Sequence, residues 1–149
     1  MIQTFVIPMR FLGRNESEKL SRSHWSKANE VKHDETEAAM LYAKKAGIKP
    51  YDGPVDVLVV FDEQVRFFKN GKRKKSRDAD NVQSAVKPII DGLVKAGVIS
   101  DDCPEVVRRV IPAVLYTTDE PKVTVVIDDY KAVRKVTFPP VEIPERKRS

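Results

Sequence analysis

Two aspartates one residue apart, Asp78 and Asp80, stand at the end of a dense run of positive charge in the stretch GKRKKSRDADNVQSAVKPIID. In an extended backbone, residues i and i+2 point to the same side, so both carboxylates face one direction. Carboxylates held close repel and raise each other's pKa unless a cation lies between them. Hard oxygen donors of this kind suit Mg²⁺, which keeps several waters and bridges protein carboxylates to substrate phosphate. A second acidic pair, Asp101 and Asp102, follows further along the chain. Two plainer roles stay open for Asp78 and Asp80: Asp80 as the cap of the following helix, and ion pairing of both acids with Arg77 and Lys75.

The positive run comprises seven basic residues between positions 66 and 77 with no acidic one among them: Arg66, Lys69, Lys72, Arg73, Lys74, Lys75 and Arg77. Clustered Lys and Arg suit a phosphate backbone, because each neutralised phosphate releases condensed counterions. Phe67 and Phe68 lie inside the run and could stack on exposed bases. A solvated, mobile loop explains the same charges. The whole chain carries a formal charge of +5 over 149 residues, which makes an anionic partner plausible without naming one.

Several other chemistries find little support. His24 and His33 have no Cys or paired His close by in sequence, which argues against a zinc site. Cys103 sits beside acids and is not an activated thiolate. As a lone cysteine it forms no internal disulfide and suggests a reducing compartment. Gly13, Gly47 and Gly97 form no phosphate-cradling motif. Trp25 is better explained by packing on the helix it adjoins than by base stacking. No stretch approaches the ~18 apolar residues of a membrane helix, and MIQTFVIPMRF does not resemble a leader. The expectation is a cytoplasmic protein without a membrane segment.

The elements that position these residues are legible in outline. Thr4–Ile7 reads as a short strand ended by Pro8, and the polar stretch Gly13–Lys27 as a loop. Asn29–Ala46, stopped by Gly47, reads as a helix. Val55–Phe61 is a valine-rich strand. Asn81–Ala96 is a second helix burying Val82, Val86, Ile89, Ile90 and Leu93, with a kink expected at Pro88. Val106–Tyr116 and Lys122–Ile127 read as two strands forming a hairpin. The pattern predicts a single α+β domain, in the order β-α-β-α-β-β, with a mixed sheet packed against two helices over residues 1–130. Residues 131–149, with three prolines and a basic end, read as an extended arm.

The segments RDADN (77–81) and KPIIDGLVKAGVISDD (87–102), followed by Val106, resemble the signature of RusA-type Holliday junction resolvases. That signature spans about 26 residues, and RNESEKLSRSHWSKANEVKHDE (14–35) is similar in kind to the family's N-terminal loop and helix. The resemblance implies a RusA-like fold and a homodimeric, Mg²⁺-dependent endonuclease that cuts branched DNA in recombination and repair, as in phages and prophages. It also implies that Asp78, Asp80 and Asp102 hold the metal, which polarises the scissile phosphate, activates water and stabilises the departing oxygen. Arg77 or a lysine would then offset charge on the transition state. In most relatives the helix lysine occupies the position of Ser84. Here Lys87 follows about one helical turn later on nearly the same side.

Asp91 lies about 16 Å beyond Asp80 along a continuous helix, too far to share its metal, and pairs more plausibly with Lys87 or Lys95 at a spacing of four. The same geometry leaves Asp102 able to reach Asp78 within one chain only by a nearly straight return, so donation across a dimer carries equal weight. Two other functions remain: a nuclease of this fold acting on flaps, forks or RNA, and a nucleic-acid-binding protein without catalysis.

Overall fold

A computed structural model describes residues 1–74 and 77–131. Lys75 and nearly all of the expected arm lie outside them. In chain order the elements are β1 (Gln3–Ile7), α1 (Arg14–Ser23), α2 (Trp25–Lys45), β2 (Val55–Gln64), α3 (Ala79–Val82), a 3₁₀ turn (Gln83–Ala85), α4 (Val86–Lys95), β3 (Val107–Thr117) and β4 (Lys122–Asp129). The four strands form one mixed sheet in the order β1-β4-β2-β3, as the α+β reading expects. Among the described residues, no helix is long and apolar enough to cross a membrane.

Strand β2 organises the core. Its alternate residues Val55, Val57, Val59, Phe61 and Glu63 are buried, as period-two geometry requires of one sheet face. Phe5 and Ile7 on β1 and Val123, Val125 and Ile127 on β4 join the apolar members of that row. The helices supply Ala39 and Ala43 from α2 and Val86, Ile89, Ile90 and Leu93 from α4, with Val82 from α3. Each Val, Leu, Ile or Phe among them contributes roughly 1.5–3 kcal/mol when fully buried. Helices α2 and α4 meet at Gly92, where an added Cβ would lie 2.5 Å from the Ala39 Cβ, so only glycine allows this approach.

Three expectations change. The last two strands do not form a hairpin. Strand β3 pairs with β2 in parallel, and β4 pairs with β2 antiparallel on its other side. The turn between β3 and β4 therefore passes over the end of β2, a gap of two strand spacings or about 10 Å, within reach of four residues. Strand periodicity is identical whether two strands pair or straddle a third, so sequence could not distinguish these cases. The parallel β2–β3 pair needs a crossover, and the whole segment from the basic run to Asp102 is that crossover.

The polar stretch Gly13–Lys27 is helical, forming α1 and the start of α2. No residue of α1 is buried, so apolar periodicity gave no signal. Polar anchors hold it: Arg10 makes two 2.7 Å hydrogen bonds to Glu16, and Asn81 Oδ1 accepts from the Asn15 N–H at 3.1 Å.

The second expected helix is segmented into α3, the 3₁₀ turn and α4. Pro88 has no N–H for the Ser84 carbonyl and its ring crowds that carbonyl, which breaks the α-helical ladder in the preceding turn. Its expected apolar side is fully buried nonetheless.

Candidate active site

Arg77 is the anchor of the acidic segment. Its Nε donates to Glu63 Oε1 at 2.8 Å, Nη2 pairs with the same carboxylate, and Nη1 donates to the Phe11 carbonyl at 2.6 Å and lies 3.3 Å from Glu16. The Arg77 and Glu63 side chains are each 8% exposed. A second cation, Arg10, lies 3.7 Å from Glu63 and clasps Glu16. Burial opposes ionisation of Glu16, but Arg10 and then Arg77 hold its carboxyl below the usual range. Gly13 permits this convergence, since a Cβ there would come within 3.0 Å of Asn81 Oδ1 and 3.1 Å of Arg77 Nη1. The guanidinium of Arg77 thus faces inward, whereas Asp78 and Asp80 are exposed. The extended run expected to aim both carboxylates one way ends at Asp78, because Ala79 and Asp80 are already helical.

Asp78 has extended backbone geometry and accepts the Asn81 N–H at 2.9 Å, capping α3. The cap is therefore Asp78 and not Asp80. Asp80, in the first turn, has its side chain 76% exposed, with Arg14 at 3.9 Å as its ion-pair partner. Asp102 returns to the same crossover helix: Lys87 donates to it and also to Asp91 at 2.9 Å. The contact with Lys87, and next that with Asp101, whose Oδ1 accepts the Asp102 N–H at 2.7 Å, lower the Asp102 pKa, and the same contact with Asp102, followed by that with Asp91, raises the Lys87 pKa. Asp102 and Lys87 line one cleft with Gln83, which lies three residues beyond Asp80 and so about one helical turn along. The expected pairing of Asp91 with Lys87 is present. Lys95 instead reaches Glu37 at 3.0 Å.

The basic run forms a short two-stranded ribbon. The Phe68 N–H donates to the Lys72 carbonyl at 2.7 Å and the Lys74 N–H to the Arg66 carbonyl at 2.8 Å. Gly71, at φ +84°, makes the turn, a conformation that other residues resist. Arg66, Lys69, Lys72, Arg73 and Lys74 are all exposed. Arg73 lies 4.5 Å from the Tyr116 ring centre and Lys74 5.3 Å from that of Phe68. Phe67 and Phe68 are themselves exposed.

Among the described residues, no three His, Cys, Asp or Glu side chains are gathered closely enough to hold a metal ion. Asp78 and Asp80 offer two outward-facing hard oxygen donors, whose chemistry fits a divalent cation that keeps waters. Asp102 is held instead by Lys87. Sequence reasoning missed the supporting residues Glu63, Glu16, Arg10 and Arg14. Glu63 was detectable, because it is the one charge in the inward row of β2, where a buried carboxylate demands a cation. Glu16, Arg10 and Arg14 lie in polar sequence that carries no such signal.

No curated protein gives a significant match to the chain. The model of a protein family, endodeoxyribonuclease RusA, matches residues 13–128, from the glycine that admits Arg77 to the penultimate residue of β4. The match encloses the acidic segment, its anchors and the returning Asp102. The chain belongs to the RusA family of endodeoxyribonucleases, which resolve Holliday junctions and are generally dependent on divalent metal.

Proposed function

We propose that this chain is a Mg²⁺-dependent, homodimeric resolvase of the phage or prophage type, cutting Holliday junctions in DNA recombination and repair in the cytoplasm. The observation that supports this reading best is the anchoring of Arg77 on Glu63 behind Asp78 and Asp80. A buried ion pair fixes the turn, so the two carboxylates stay exposed at the start of α3.

In this mechanism Asp78 and Asp80 would hold the cation, and Asp102 would serve as a third ligand if it exchanged its bond to Lys87. Mg²⁺ bound there supplies Lewis-acid polarisation of the scissile phosphate and a water of lowered pKa. Lys87, freed from Asp102, keeps its proton and offers N–H donors to the phosphate oxygens. Arg77 acts as a positioning residue through its buried contacts. Arg66 and Lys74 line a small cleft with Arg10, Arg77 and Glu63. Because Arg10 and Arg77 are already paired, Arg66 and Lys74 would be the charges offered to a backbone phosphate. Phe67 and Phe68 offer faces for exposed bases beside it. A two-fold dimer would place two such sites for symmetric cuts.

Cleavage of junction, fork, duplex and single-stranded DNA with and without Mg²⁺, alongside light scattering, tests the reading. Junction cutting that requires Mg²⁺, by a dimer, is expected. Tight junction binding without cleavage would make the protein a non-catalytic binder, and preferred cutting of forks, flaps or RNA would assign another target. A stable monomer that still cleaves would sink the dimeric part.

A further inference from the structure

A cleft of about 280 Å³ lies between α1, α2 and the start of α4, and the mechanism above makes no use of it. Leu20, Ala28, Val31 and Pro88 give it apolar walls, and Glu35 and Ser84 add polar groups. Its rim includes Arg14, which pairs with Asp80, and Lys87, which pairs with Asp102. Whatever fills it therefore sits beside the candidate catalytic carboxylates. We propose that this cleft receives one unpaired nucleobase of the bound DNA, splayed out next to the scissile phosphate, and sets the base preference at the cut. The proposal rests on the nuclease reading.

The occupant follows from the chemistry of the cleft and from its place. Ligand pockets for drug-sized molecules run from about 300 Å³ upward, so this one suits a single flat ring. Apolar walls take the faces of a base, and polar groups at one side read its edge. Arg14, Lys32 and Lys87 line it beside Glu18 and Asp91, and the three cations suit a group tethered to phosphates. Glu35 is 3% exposed, and its Oε2 accepts the Leu12 N–H at 2.9 Å. Burial pushes its pKa up to about 7, so near neutral pH the carboxyl can donate to a base edge as well as accept from it. Ala28 and Lys32 both line the cleft, and Trp25 precedes them at spacings of three and seven, on the same face of α2. Trp25 is 70% exposed, whereas a packing role would bury it. One turn before Ala28 on that face, the exposed indole offers a stacking platform for the entering base or its neighbour.

The experiment uses the full chain and junction DNA carrying 2-aminopurine at successive positions around the cut, in EDTA so that nothing is cleaved. One position should brighten several-fold as the base leaves the stack. Trp25 is the sole tryptophan, so its emission should be quenched by the same DNA and recover when that nucleotide is abasic. Ala28→Leu, which fills the cleft, should abolish the brightening, with its fold checked by circular dichroism. Glu35→Gln keeps the shape and should shift relative cleavage among the four bases at that position by about tenfold.

The proposal is overturned if no position brightens, if folded Ala28→Leu brightens as the unaltered chain does, or if Glu35→Gln leaves the base preference unchanged. Should Ala28→Leu fail to fold, Glu35→Gln and the Trp25 signal decide. Brightening without any Mg²⁺-dependent cleavage would keep the cleft and overturn the nuclease reading. Cleavage without brightening would do the reverse.

Discussion

Arg77 and Glu63 form an ion pair with both side chains 8% exposed, one on the inward row of β2 and the other one residue before the acidic segment. The last inward position of the central strand is thereby tied to the first carboxylate of the candidate site.

Breaking that pair should be costly. Arg77→Met leaves Glu63 buried with only the more distant Arg10, and removing one partner of a buried pair costs about 3–5 kcal/mol. Urea denaturation should show that loss. Glu63→Gln should cost less, because it retains an acceptor for the guanidinium. If Arg77→Met is as stable as the parent, the pair does not anchor the turn.

Capping and catalysis separate at Asp78. Asp78→Ala removes the bond to the Asn81 N–H and should destabilise by about 1 kcal/mol, whereas Asp78→Asn keeps a good cap. Both changes, and Asp80→Asn, remove a charged oxygen ligand and should lower Mg²⁺-dependent cleavage by several orders of magnitude. Junction binding in EDTA should be unchanged or tighter, since a carboxylate beside phosphate repels it. Asp91→Asn should still cleave. Cutting by Asp78→Asn and Asp80→Asn at the parental rate would remove these residues from the mechanism.

Affinity for DNA should fall steeply with salt, by about 0.9 logarithmic units per decade for each phosphate neutralised. Replacing Lys72, Arg73, Lys74 and Lys75 by alanine should flatten the slope in titrations at several salt concentrations. An unchanged slope would make the ribbon only a solvated surface.

Glu35 should impose a pH dependence on stability. Its carboxyl is raised from 4.5 to about 7, first by burial and next by repulsion from Glu16, against the Leu12 N–H, Arg77 and Lys32. The folded state therefore holds the proton more tightly than the unfolded chain. The contribution is fully present below about 4.5 and is lost as pH rises to about 7, by up to about 3 kcal/mol. Thermal denaturation of Glu35→Gln should lack that decline, and the variant should be more stable than the parent at pH 8.

The one-residue spacing of Asp78 and Asp80, the basic run and the apolar side of the crossover helix were determined locally, and each was legible in the sequence. Alternation along β2 and the 3.6-residue period of Val82, Val86, Ile89, Ile90 and Leu93 are properties of single elements, readable without knowing their neighbours. The break before Pro88 follows as directly from one ring and one missing N–H. Strand order was not legible, because β3 and β4 show the same pattern whether they pair with each other or flank β2. Helix α1 was hidden because hydrogen bonds and ion pairs from Arg10, Glu16 and Asn15 hold it, and such contacts leave no periodic trace. Only the tertiary structure turned Arg77 inward to Glu63 and gave Asp102 to Lys87. Both contacts join residues in different segments of the chain, one pair buried and the other exposed, and their partners are chosen by which charges the folded backbone brings together.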